Sequence, residues 1–137
     1  MNFDVESTRA FPDDLVEQAQ AALTSEEQQA IEALPSGSAL LIVQHGPNQG
    51  SRFLLDQDLS TAGRHPNADI FLDDVTVSRR HCEFVRTAGT FKLADLASLN
   101  GTFLNGKRVD DATLATGDEV QIGKYRFTFY ASKAGAH

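Results

Sequence analysis

The chain has 137 residues, room for one domain of about 100 residues and an appendage. Its composition, 41% hydrophobic and 23% charged, excludes wholesale disorder, and a pI near 4.9 argues against nucleic acid as a partner, because phosphate backbones call for a basic surface. The net charge of −7 is lopsided: residues 1–37 hold eight acids and one base, whereas the remainder holds eleven of each, and all ten glycines lie at Gly37 or later.

The opening MNFDVEST has neither a cationic lead nor an apolar centre, so it is no signal peptide. Residues 1–12 carry no pattern and are expected to be flexible. Residues 13–23 and 25–34 lack Gly and Pro and are rich in helix formers. Ser25 with Gln28 fits a capping box, and Asp13 and Asp14 suit a first helical turn. Their apolar stripes are thin (Leu15, Val16, Ala19 and Leu23; Ile31 and Leu34), so each helix is expected to be transient unless it docks. Pro35-Ser36-Gly37 marks the one boundary. It divides an acidic extension, 1–37, from a domain, 38–131, and a short disordered tail, 132–137.

From Ser38 the pattern turns to short apolar or alternating runs. Strands are expected at Ala39–His45, Arg52–Leu55, Ser60–Gly63, Ile70–Leu72, Cys82–Thr87, Thr90–Asp95, Thr102–Leu104, Lys107–Val109, Glu119–Ile122 and Tyr125–Tyr130. Turn residues such as Ala88-Gly89, Asn105-Gly106 and Thr116-Gly117-Asp118 separate them. Many short strands with frequent Gly turns indicate an all-β sandwich or barrel. The longest apolar run, Ala39 to Val43, is far short of the ~20 residues that span a bilayer. Cys82 is the only cysteine, which fits a reducing compartment. A soluble, cytoplasmic, monomeric protein with no membrane or nucleic-acid partner is expected.

Polar residues gather at three expected strand ends: Gly63-Arg64-His65-Pro66-Asn67, Thr76-Val77-Ser78-Arg79-Arg80-His81 and Ser98-Leu99-Asn100-Gly101-Thr102. If these share one end of a sandwich, they present Arg64, Ser78, Arg79, Arg80, Asn100 and Thr102 together. Guanidinium forks with hydroxyl and amide donors suit an oxyanion. Ser78, His81 and Asp95 also spell a hydrolase triad, but no Gly-x-Ser-x-Gly elbow accompanies them, and no enzyme activity is expected. His81 and Cys82, adjacent on a strand, point to opposite faces and cannot pair, and Cys82 is expected to be a buried hydrophobe. The four histidines have no metal-ligand spacing, and neither metal nor cofactor is expected. Arg80 reads as a solvated charge.

Gly63-Arg64, Ser78-x-x-His81, Asn100-Gly101 and Asn105-Gly106 resemble, in order and spacing, the signature of the forkhead-associated (FHA) family over roughly residues 38–131. The resemblance implies an eleven-stranded β-sandwich that binds phosphothreonine peptides on loops at one end. It further implies that Arg64 and Ser78 contact the phosphate, Arg79 flanks it and Asn100 holds the peptide backbone. His81 would brace the loops, and Gly63 and Gly101 would permit turns. Leu99 replaces the family's common threonine, so any phosphate contact there must come from its backbone N–H.

Leu99 and the acidic leader also resemble small actinobacterial FHA regulators of 2-oxoglutarate metabolism, whose extension carries a Glu-Thr-Thr-Ser-Val-Phe phosphosite. Here Glu6-Ser7-Thr8-Arg9-Ala10-Phe11 holds that place. This likeness puts the phosphosite on Thr8 ahead of Ser7, and Phe11 at the selectivity position three residues on. It implies a Ser/Thr kinase, a phosphothreonine peptide (the chain's own tail or another protein) and a metabolic enzyme target such as 2-oxoglutarate dehydrogenase as partners. Thirty residues separate Thr8 from Ser38, an r.m.s. span of roughly 30 Å for a flexible chain, enough to reach either end of a domain with a radius near 13 Å.

Overall fold

The structure, a computed structural model, describes residues 23–134. Thr8, Ser7 and all but the last residue of the first helix-prone stretch lie outside them.

A helix, α1 (Ser25–Glu32), precedes eleven strands: β1 (Ala39–His45), β2 (Arg52–Leu55), β3 (Leu59–Gly63), β4 (Ile70–Phe71), β5 (Cys82–Thr87), β6 (Thr90–Asp95), β7 (Thr102–Leu104), β8 (Lys107–Val109), β9 (Asp111–Thr113), β10 (Glu119–Ile122) and β11 (Tyr125–Ala131). They form a six-stranded sheet in the order β2-β1-β11-β10-β7-β8 and a five-stranded sheet in the order β4-β3-β5-β6-β9. Only the short β3–β4 pair is parallel. Alternate residues of both sheets meet in one core that includes Leu41, Val43, Phe84, Leu93, Val120, Phe127 and Phe129. Phe53 and Phe91 meet Phe127 and Phe129 edge to face at 6.0 and 5.7 Å between ring centres.

All ten expected strands match to within a residue at either end, seven of them without any difference; Leu59–Gly63, Ile70–Phe71 and Tyr125–Ala131 each differ by one. The unexpected strand, β9, is a three-residue edge piece reading Asp-Ala-Thr, held by pairing with β6 rather than by any apolar pattern of its own.

The helix begins one residue earlier than its sequence suggested. Thr24, not Ser25, is the N-cap: its hydroxyl accepts from the Glu27 N–H at 3.0 Å, and the Glu27 carboxylate accepts from the Thr24 N–H at 3.1 Å. This reciprocal pair prevails because Glu27 sits three residues after Thr24 and brings a carboxylate, against the neutral amide of Gln28. Thr24→Ala is expected to cost about 1 kcal/mol of helix stability, read as faster amide hydrogen exchange over 27–32.

The helix is docked. Ile31 and Leu34 pack with Leu40, Ile42 and Tyr130 in a second apolar cluster on the outer face of the six-stranded sheet. That is why Ala39 to Val43 is apolar without alternation: Ala39, Leu41 and Val43 face the sandwich core while Leu40 and Ile42 face the helix. The Ser132 hydroxyl donates to the Leu34 carbonyl at 3.0 Å, and the Ser132 N–H to the Ser38 carbonyl at 2.9 Å, tying the helix exit to the end of β11. The folded unit thus reaches back past Ser38 into the acidic extension. No helix among the described residues is long and apolar enough to cross a membrane.

Candidate functional site

The three polar stretches do share one end of the sandwich, and backbone hydrogen bonds stitch them together. The Arg64 N–H donates to the Ser78 carbonyl at 2.9 Å and the His65 N–H to the Arg79 carbonyl at 3.2 Å, joining the loop after β3 to the loop before β5. The Leu99 N–H donates to Ser78 Oγ at 3.0 Å, and Asn100 Nδ2 donates to the Thr76 carbonyl at 3.0 Å, adding the loop between β6 and β7. The Thr76 loop is itself a tight turn in which Asp74 Oδ1 accepts from both the N–H (2.8 Å) and the hydroxyl (2.7 Å) of Thr76. Those two bonds hold the Asp74 carboxyl below its ordinary pKa.

His81 is the hub beneath these loops. It is fully buried, its Nδ1 accepts the Ser78 N–H at 3.0 Å, and its Nε2 lies 2.9 Å from the Gly101 carbonyl. A nitrogen that accepts from an amide carries no proton, so the neutral ring is protonated at Nε2 and donates to Gly101. Burial lowers the His81 pKa, and the Gly101 bond and the nearby Asp95 charge offset it only in part. Both nitrogens are thereby committed to backbone groups, leaving none to take the Ser78 hydroxyl proton as a triad would require. Cys82, fully buried beside it, has its thiol pushed up by burial and stays protonated.

Asp95 anchors the third loop. Its Oδ1 accepts the Ser98 hydroxyl at 2.5 Å and the Thr102 hydroxyl at 2.6 Å, its Oδ2 accepts the Ser98 N–H at 3.2 Å, and Ser98 Oγ in turn accepts the Gly101 N–H at 3.0 Å. Burial would raise the Asp95 pKa, but these donors outweigh it and hold it below the ordinary carboxylate value. Sequence reasoning weighed Asp95 only as a triad acid. The acid-x-x-Ser spacing that makes such a turn was present and carried this role.

Two expectations need correction. Thr102, grouped with the ligand-contacting residues, is fully buried with its hydroxyl turned to Asp95, so it braces the loop from below. Gly63, expected to permit a turn, has no positive φ; its hydrogen side chain is required because a Cβ would overlap the Arg79 carbonyl oxygen. Gly101 does occupy the left-handed region, at φ +87°, and also lies close against the Arg108 side chain.

What remains at the surface is a cationic, donor-rich patch. Arg64 is pinned by Nε donating to the Val77 carbonyl at 3.0 Å, and Ser78 is half-buried. Arg79, Arg80, Leu99 and Asn100 are exposed. Leu99 departs most from a donor set: the residue is 85% exposed and its N–H is already bonded to Ser78. No group of three metal-ligating side chains comes together among the described residues.

A two-sheet sandwich whose loops converge on a cationic, donor-rich patch around an Arg, a Ser and a buried His defines a class. The FHA-domain model matches residues 60–123, and the chain belongs to the forkhead-associated family. Within that family it is 56% identical to the glycogen accumulation regulator GarA of Mycolicibacterium smegmatis, over 91% of this chain and 81% of that one. It is 52% identical to the oxoglutarate dehydrogenase inhibitor of Corynebacterium efficiens, over 95% and 92%. Among solved structures, an FHA domain studied for its phosphothreonine-dependent interactions superposes with a TM-score of 0.63 at 32% identity, covering 68% of this chain and 95% of its own.

Proposed function

We propose that this protein is a phosphorylation-controlled inhibitor. Unphosphorylated, it binds and inhibits a metabolic enzyme such as the 2-oxoglutarate dehydrogenase complex through its recognition loops. A Ser/Thr kinase then modifies Thr8, and the tail fills the protein's own site and releases the enzyme. The observation that carries this reading is the convergence of Arg64, Ser78, Arg79 and Asn100 on one surface in a chain so similar to a named oxoglutarate dehydrogenase inhibitor. In it Arg64 and Ser78 meet the phosphate, Arg79 flanks it, Asn100 holds the peptide backbone, and the protein acts as a cytoplasmic monomer without catalysis of its own.

Phosphorylation gives Thr8 about −1.5 to −2 charge and three acceptor oxygens. Tethering supplies the group at an effective concentration near the millimolar range, so even a weak phosphopeptide would occupy the site. The test is to titrate the Thr8-phosphorylated chain with an external phosphothreonine peptide. Affinity is expected to fall by at least tenfold relative to the unmodified chain, and equal affinity would sink self-occlusion. The second reading, an adaptor recruiting phosphothreonine proteins in trans, draws on the same surface. Deleting residues 1–12 separates them: the adaptor keeps its regulation, whereas the switch loses its response to the kinase.

A further inference from the structure

Beside the Arg64–Ser78 patch lies a cavity of about 290 Å³ that the recognition residues named so far do not account for. Thr61, His65, Ala68 and Leu96 line it together with Arg79 and Arg80. Neither arginine is paired with a carboxylate of the described residues. A mostly carbon-lined cavity with two arginines among its lining residues suits a side chain with an aliphatic stem and an anionic tip. Arg79 borders both the phosphate patch and this cavity, so a peptide that delivers a phosphate to Arg64 and Ser78 has neighbouring residues within reach of it.

The chain outside the described residues offers one match. Before Thr8 stand Asp4 and Glu6; after it come Arg9, Ala10 and Phe11. Charge complementarity therefore directs the preceding half of the segment toward Arg79 and Arg80. In an extended peptide, side chains two apart share a face at a spacing of about 6.6 Å. Bound in that form, Glu6 would share a face with Thr8 and turn toward the protein together with the phosphate, and Val5 and Ser7 would turn away.

Resting on the function proposed above, we infer that this cavity is an acid-selective subsite: it takes the side chain two residues before the phosphothreonine, Glu6 in the chain's own tail, with its methylenes over Leu96 and Ala68 and its carboxylate on Arg80. Arg80 becomes a specificity-determining residue rather than a solvated charge. Phosphopeptides with a neutral or basic residue at that position are discriminated against.

The experiment titrates the full-length unphosphorylated protein into a labelled synthetic peptide of residues 1–14 phosphorylated on Thr8. Arg80→Ala in the protein and Glu6→Gln in the peptide are each expected to weaken binding about three- to tenfold, and the two together no more than either alone, the mark of a direct pair. Multiplying losses, or a change under about twofold from either substitution while phosphate dependence persists, overturns the subsite alone. A wild-type peptide that binds no better phosphorylated than unphosphorylated overturns the parent reading as well. Arg80 is exposed and Glu6→Gln leaves the protein untouched, so neither arm depends on a variant's folding.

Discussion

Arg64→Ala is expected to weaken binding of a phosphothreonine peptide by at least tenfold while leaving the thermal unfolding midpoint nearly unchanged. The guanidinium is held in place through Nε, which donates to the Val77 carbonyl at 3.0 Å, and its terminal nitrogens have no hydrogen-bond partner among the described residues. The group is thus fixed by one edge and open at the other, the arrangement in which a planar fork loses little side-chain entropy on meeting an oxyanion. Charge-assisted hydrogen bonds contribute about 1.5–3 kcal/mol, and 1.4 kcal/mol is a factor of ten. Arg64→Lys, which keeps the charge and loses the fork, should fall between. Wild-type affinity in Arg64→Ala, measured by calorimetry, would remove Arg64 from the site.

The second large effect is on stability. His81→Ala strips partners from the part-buried Ser78 N–H and the buried Gly101 carbonyl and leaves a void. Each orphaned group costs about 1–3 kcal/mol, so a total near 3 kcal/mol or more is expected in urea unfolding. The same residue governs acid sensitivity. Its pKa is lower folded than unfolded, so the unfolded chain binds the extra proton. Stability is therefore full above about pH 6.5, the unfolded value, and declines as pH falls through it toward the folded one. His81→Ala should flatten that part of the stability profile, and an unchanged slope would show that another group sets it.

The sandwich was legible in the sequence because its strands are short, bounded by glycine or Asn-Gly, and patterned by burial. At Asn105-Gly106 both residues adopt positive φ, 50° and 85°, as a tight hairpin between strands requires. β9 was not legible, since an edge strand with one half-buried alanine owes its form to a neighbour rather than to its own residues. Docking of the helix was written in two places that look like irregularities: the unbroken apolar run of β1 and the extra aromatic Tyr130 beside Phe129. Each is explained only when a second buried face is known.

The site was legible by residue type and order but not by direction. Ser78, Arg64 and Asn100 come together as their spacing suggested. That Thr102 points inward, that Gly63 is needed for a close approach, and that Asp95 holds a turn all depend on which way side chains face at strand ends, where alternation stops. Leu99 shows the same limit. Its side chain cannot donate, and its backbone N–H, the one donor left to it, already satisfies a lone pair of Ser78 Oγ, which leaves the serine's own proton as the group offered outward.

The docked helix also sets the length of a leash. Counted from Ser38, thirty residues lead back to Thr8; counted from Thr24, where the capped helix is anchored, sixteen do. At a limit of about 3.5 Å per residue, the farthest excursion of Thr8 shrinks from roughly 105 Å to roughly 56 Å. The volume open to it contracts nearly sevenfold, while the far side of a domain this size stays in range, at about 56 Å of reach. Four buried apolar side chains, Ile31, Leu34, Leu40 and Ile42, thereby shorten the tether of whatever group the leader carries.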